Sequence, residues 1–320
     1  MAGRVRGLGR DVASRVGRDV MTAGGEPEVT SARAVTGAVA VLVAANVLNN
    51  RLAPRLAPLT STVATGALLA VARRSGLSWA DLGFHERARG LRIGGALASA
   101  VAVVYGVGIA VPATRRFFRD ERALSLSRAR AFEEALLQVP FGTVLLEEVG
   151  FRGVLHALLS RSHGAGTATA VSSALFGLWH VLPAIDMMAA NPALSRLTAG
   201  EAPADGPRSP GVPAGPARSG EPGGPGRPGR KGRASAMEAS RVVIGSVLAT
   251  GSAGVFFCEL RRRGGLAAPA LFHVATNSLG YLFARLAPPD SGSGQTAATP
   301  NAERTGAPAV GAGTAPKAKG

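Results

Sequence analysis

The sequence contains a single cysteine, Cys258, and only 5% of its 320 residues are aromatic. One cysteine excludes an intramolecular disulfide and a thiolate metal cluster. Acidic residues are also scarce, with 20 Asp and Glu against 36 Lys and Arg, which gives a net charge of +16. Such a charge can indicate a nucleic-acid-binding protein, but here the arginines flank apolar blocks without interleaved aromatic residues. We therefore expect no nucleic-acid partner.

The abundant residues are Ala, Val and Leu, which occur in helix-length blocks, and the hydrophobic fraction is 46%. A transmembrane helix needs about 20 mostly apolar residues. The sequence therefore predicts an all-α fold, a polytopic membrane helix bundle of about seven transmembrane helices with the lipid bilayer as its partner. The predicted spans are 34–48, 56–72, 93–111, 132–160, 167–181, 242–260 and 266–286.

Three segments are too polar or too rich in Pro and Gly to form a packed core. We predict a disordered basic arm at 1–33, a disordered Pro/Gly/Arg-rich linker at 190–236 and a disordered tail at 287–320. Between them, a transmembrane hairpin is expected at 34–75, and the main domain at 76–286 with the linker inserted in it.

Two adjacent carboxylates and an arginine, Glu147, Glu148 and Arg152, interrupt the apolar run at 141–159. A charge near the middle of a bilayer costs about 2.5–3.5 kcal/mol on insertion scales, so it indicates a functional site. Glu148 and Arg152 are four residues apart and share a helix face, whereas Glu147 is turned by about 100°. The pair alone could be a structural ion pair, which leaves Glu147 as the reactive carboxylate.

Two later apolar blocks also carry polar groups: His180 in one, and His273 and Asn277 in the other. His180 or His273 alone would be a buried, hydrogen-bonded core histidine, and Asn277 alone would hydrogen-bond between neighbouring helices. Together with Glu147 they could surround a cavity that activates water and stabilises an oxyanion. Alternatively, Glu147, His180 and His273 could bind a divalent metal such as zinc, with one position open for water.

These residues form three motifs, which read Glu147-Glu148-x-x-x-Arg152, Phe176-x-x-x-His180 and His273-x-x-x-Asn277. Their order on separate spans resembles the signature of the CPBP family of intramembrane proteases. That family includes the CAAX prenyl endopeptidases and the bacterial Abi-type proteins linked to bacteriocin immunity and processing. The resemblance covers residues 76–286, which would be the protease domain.

The resemblance implies an intramembrane endopeptidase that hydrolyses a peptide bond in a membrane-associated protein or peptide. Glu147 would activate water with His180, and His273 and Asn277 would line the oxyanion site, or His273 would bind a metal. Glu148 and Arg152 would support them. No HExxH helix is present, which favours the metal-independent glutamate mechanism. The composition suggests a bacterial plasma membrane protein, and we expect the amino terminus in the cytoplasm.

Two other functions fit the same polar residues. A non-catalytic membrane scaffold or immunity protein would use the pocket to bind a partner, and a proton-coupled transporter would use it as a relay. The sequence has no inverted repeat, which disfavours a transporter. Cleavage that survives the change Glu147→Ala would exclude the peptidase.

Overall fold

The computed structural model describes residues 25–200 and 229–287, and within these ranges it contains helices and no strand. The main helices are α1 (Gly25–Val47), α2 (Ala57–Arg74), α3 (Arg87–Ala110), α4 (Arg128–Glu133), α5 (His156–Trp179), α6 (Val181–Ala190), α7 (Pro192–Thr198), α8 (Gly229–Gly264) and α9 (Ala267–Leu286). Shorter helical segments connect them at Leu48–Leu52, Pro54–Leu56, Pro112–Arg115, Arg116–Phe118 and Glu121–Ser125.

Helix α4 continues without a break through a π-helix (Glu134–Val144), one α-helical turn (Leu145–Glu147) and a second π-helix (Glu148–Leu155). We call residues 128–155 the central helix. The first π-helix contains Pro140, which has no N–H to donate to the hydrogen bonds of the helix backbone. π-Helical turns inside α-helices occur frequently at functional sites. The central helix leads directly into α5, which bends at Gly164, where φ is +81°.

Neighbouring helices surround the central helix. Helices α2 and α9 pack against its first π-helix, and α5 packs against its second, while α9 also packs along α3 and α8 along α5. The hydrophobic core is formed where these contacts meet, and includes Leu146, Phe151 and Val154 of the central helix and Phe176 of α5. The charged stretch of the sequence therefore lies in the middle of the bundle.

Four helices in the described residues are long and apolar enough to cross a membrane: Ser31–Leu52, Pro54–Arg74, Arg87–Ala110 and Ala236–Gly264. A fifth span results if the bent pair Arg128–Trp179 and Val181–Ala190 counts as one. The predicted helical membrane bundle is confirmed. The predicted count of seven is not, because the blocks at 132–160 and 167–181 fall in that one bent pair and α9 is not among the four.

The predicted disordered segments lie largely outside the described residues, since 1–24, 201–228 and 288–320 are not described. Their predicted inner edges are helical, because α1 begins at Gly25, α7 spans Pro192–Thr198 and α8 begins at Gly229. At α7 the side chain of Asn191 accepts a hydrogen bond from the Leu194 N–H (3.0 Å) and caps the helix. The domain boundaries at 34–75 and 76–286 stay predictions.

Candidate active site

Glu147 and Glu148 lie next to each other on the central helix, with 3% and 2% of their surfaces exposed. Glu147 ends the single α-helical turn and Glu148 begins the second π-helix. Two buried carboxylates destabilise the fold unless charged or hydrogen-bonding groups compensate them. The compensating groups come from the central helix itself, from α5 and from α9.

Arg152 supplies the compensating charge on the central helix. Its Nη1 lies 3.4 Å from Glu148 Oε1, so the structure contains the ion pair expected from the four-residue spacing. The guanidinium carbon lies 3.7 Å from the ring centroid of Phe176 and 4.7 Å from that of Phe257. A desolvated cation–π contact contributes about 2 kcal/mol. One carboxylate and two aromatic rings therefore hold a guanidinium that is almost fully buried.

His273, on α9, contacts both carboxylates. Its Nδ1 lies 2.8 Å from Glu148 Oε1, and its Nε2 lies 3.6 Å from Glu147 Oε2. Although the sequence places the two glutamates on different faces, the two nitrogens of one imidazole reach them both. The group formed by Glu147, Glu148, Arg152 and His273 has no net charge when His273 is an imidazolium.

Trp179 holds the other oxygen of Glu147 and was not among the predicted site residues. Its indole Nε1–H donates a hydrogen bond of 2.8 Å to Glu147 Oε1, and both side chains are buried. The carbonyl of Trp179 accepts a hydrogen bond from Asn46 Nδ2 (3.1 Å), which ties the end of α5 to α1. A signal was present in the sequence, because an indole N–H inside an apolar block needs an acceptor.

His180 occupies the break between α5 and α6, where its backbone leaves the helical conformation. Its Nδ1 lies 2.8 Å from the carbonyl oxygen of Phe176, which is its partner in the second motif. A carbonyl only accepts hydrogen bonds, so Nδ1 donates, and in the neutral ring Nε2 is left as an acceptor. The motif spacing therefore fixes which nitrogen of His180 can take a proton.

A cavity of about 490 Å³ brings three of the predicted residues together, because Glu147, His180 and Asn277 all line its wall with Trp179. Asn277 Oδ1 lies 3.5 Å from the hydroxyl of Thr276, which donates to it. His273 is not one of the described residues that line this cavity. As placed, His273 contacts the carboxylates rather than the cavity, so a role at the oxyanion would require it to release one of them.

The predicted metal ligands do not form a metal site as placed. No group of three or more His, Cys, Asp or Glu side chains in the described part of the chain is arranged to hold a metal ion. Both nitrogens of His273 face Glu147 and Glu148, and Nδ1 of His180 is used by Phe176.

A comparison with protein-family models matches residues 134–279 to the family described as Rce1-like, type II CAAX prenyl endopeptidase Rce1-like. The match spans slightly less than half of the chain, so residues 134–279 are similar to this family. The match includes all three motifs and confirms the resemblance drawn from them. Searches of curated proteins and of solved structures gave no match. The Rce1-like family is one of proteases, and the apolar helices fit an integral membrane protein.

Proposed function

We propose that the chain is a glutamate-type intramembrane endopeptidase that cleaves a membrane-associated peptide or membrane-protein segment in the cavity beside Glu147. The observation that carries the proposal is that one cavity collects Glu147 from the central helix, His180 from the break between α5 and α6, and Asn277 from α9. Buried polar groups in membrane helices destabilise the bundle, so their convergence on one cavity supports a shared function.

The first step is the activation of water. Trp179 donates to Oε1 of Glu147, while Oε2 is buried 3.6 Å from His273 Nε2 and accepts no hydrogen bond from the described residues. A water in the cavity can donate to Glu147 and to Nε2 of His180. Glu147 takes one water proton as the water oxygen forms a bond to the peptide carbonyl carbon. The carbonyl oxygen becomes an oxyanion, and the side-chain amide of Asn277 is the donor that would stabilise it.

The second step breaks the peptide bond. The proton taken by Glu147, directly or through His180, passes to the leaving nitrogen as the C–N bond breaks, which yields a carboxylic acid and an amine. His273 and Arg152 act on the carboxylates rather than on the substrate. Arg152 and His273 both contact Glu148, and His273 Nε2 also lies 3.6 Å from Oε2 of Glu147.

The test is cleavage of an internally quenched peptide library by the full-length chain in proteoliposomes. We expect Glu147→Gln to lower kcat/KM by at least about 100-fold, since general-base catalysis contributes roughly 10²–10⁴-fold. The matched control is Glu133→Gln, which changes a carboxylate on α4 that forms an ion pair with Arg130 and does not line the cavity. Wild-type cleavage by Glu147→Gln would disprove the proposal.

A further inference from the structure

A second cavity, of about 640 Å³, lies at a different level of the bundle. Arg161, on its wall, is separated from Glu147 by roughly 20 Å of helix at the usual rise per residue. The wall is built from the loop after α2, the first half of α5 and the end of α8. Among the described residues, none lines both cavities. The second cavity is therefore separate from the proposed active site.

Backbone carbonyl oxygens anchor two guanidinium groups on this wall. Arg161 donates hydrogen bonds to the carbonyl oxygens of Ser75 and Gly76, the latter at 3.1 Å. Arg261 donates to the carbonyl oxygen of Asp81 (2.6 Å), and its buried Nε has no hydrogen-bond partner among the described residues. Carbonyl oxygens orient a guanidinium but do not cancel its charge. In the described residues, neither arginine has a carboxylate within salt-bridge distance.

Two carboxylates also line the cavity, and other groups already hold them. Glu259 forms short ion pairs with Arg262 and Arg263, at 2.6 Å and 2.5 Å. Asp81 accepts hydrogen bonds from the backbone N–H and hydroxyl of Ser78, which hold the pKa of Asp81 below its usual range. Asp81 attracts Arg161 and Arg261 electrostatically but forms no ion pair with either, so both guanidinium groups can still bind a ligand.

Neutral polar groups complete the wall. The ring of His156 lies 3.2 Å from the hydroxyl of Thr169 and 3.2 Å from that of Ser160, and all three residues line the cavity. Leu77, Ala157 and Val255 supply apolar surface beside them. A volume in the range of about 300–1,000 Å³ suits a ligand of several carbon atoms rather than a bare ion.

We propose that this cavity binds a phosphate-bearing anion between Arg161 and Arg261. The planar guanidinium matches the geometry of phosphate oxygens, and basic side chains at the end of a membrane bundle attract anionic headgroups. The same chemistry would bind a phospholipid headgroup or a soluble phosphate. This site does not depend on the proposed peptidase activity, because it contains none of the active-site residues.

The test is native mass spectrometry of the full-length chain in detergent, titrated with phosphatidylglycerol in one arm and with inorganic phosphate in the other. We expect the double variant Arg161→Gln/Arg261→Gln to bind about thirtyfold more weakly, from about 1 kcal/mol for each basic side chain. The matched control is Arg74→Gln/Arg89→Gln, which removes two exposed arginines that do not line the cavity. This control should bind like the wild type.

A second pair of variants distinguishes a loss of binding from misfolding, since Arg161 and Arg261 also hydrogen-bond to the loop after α2. Ala165 is exposed on the cavity wall. Ala165→Glu leaves both arginines in place and should abolish binding by charge repulsion, whereas Ala165→Gln, of equal size, should keep it. Binding in the lipid arm identifies a headgroup site, and binding in the phosphate arm alone identifies a soluble ligand. Equal binding by Ala165→Glu and Ala165→Gln, or equal losses in the two double variants, would overturn the proposal.

Discussion

The central helix and α3 are two long helices of the same bundle, yet their surroundings are opposite. In the second π-helix of the central helix, every residue of Glu148–Leu155 is buried. Helix α3 buries three residues over its length, Gly90, Gly94 and Val101, and exposes a row of valines. The central helix contains the charged cluster, whereas the arginines of α3 lie near its start.

This difference shows how the bundle tolerates charge. On the exposed face of α3 a charged side chain beyond the first turns would face lipid, where a single charge costs several kcal/mol. On the central helix, α5, α8 and α9 supply rings, an imidazole and an indole N–H that compensate each charge in place. The charged groups therefore lie on the helix that other helices enclose. The following variants test that contrast, from the largest expected effect to the smallest.

Replacing Arg152 by Met should destabilise the protein most. The change leaves Glu148 buried without its cation, and removing one partner of a buried ion pair costs about 3–5 kcal/mol. The control is Arg92→Met on α3, an exposed site where we expect a change within about 0.5 kcal/mol. The free energy of unfolding in mixed micelles measures both. Equal changes in the free energy of unfolding for the two variants would mean that Arg152 does not stabilise the buried Glu148.

Replacing Trp179 by Phe should reduce catalysis while the fold is kept. The variant removes the donor to Glu147 Oε1, and a hydrogen bond to a charged acceptor contributes about 1.5–3 kcal/mol, or roughly 10–100-fold in kcat. KM should change little, since the indole positions Glu147 rather than the substrate. The chain has only one other tryptophan, Trp79, which is 51% exposed, and Trp79→Phe should leave kcat unchanged. A rise in KM at constant kcat would contradict this role.

The helix-length apolar blocks predicted the helical bundle. The segments that contain Glu147, His180 and Asn277 were singled out because charged and polar groups are rare in apolar runs. The four-residue spacing also predicted the contact of Glu148 with Arg152, which lies within one helix. Such inferences need only helical periodicity. They do not depend on how the helices pack.

The features that the sequence did not reveal depend on packing between helices. Contacts of Phe257 with Arg152 and of Trp179 with Glu147 join residues far apart in the chain. The two π-helices also leave no composition signal, although they change which residues of the central helix face inward. Apolar block length leaves the number of spans unconfirmed, because it cannot tell one bent helix from two straight ones.

The two faces of α3 allow the smallest and most direct test, since adjacent glycines face different surroundings. A Cβ added at Gly94 would lie 2.8 Å from the carbonyl oxygen of Ala268 on α9, while one added at Gly95 would meet nothing within 4 Å. We expect Gly94→Ala to destabilise the bundle by about 1–3 kcal/mol through overpacking. Gly95→Ala should stabilise it by up to about 1 kcal/mol, from helix propensity alone. Unfolding in mixed micelles measures both, and the same sign for the two variants would show that α3 does not approach α9 through Gly94.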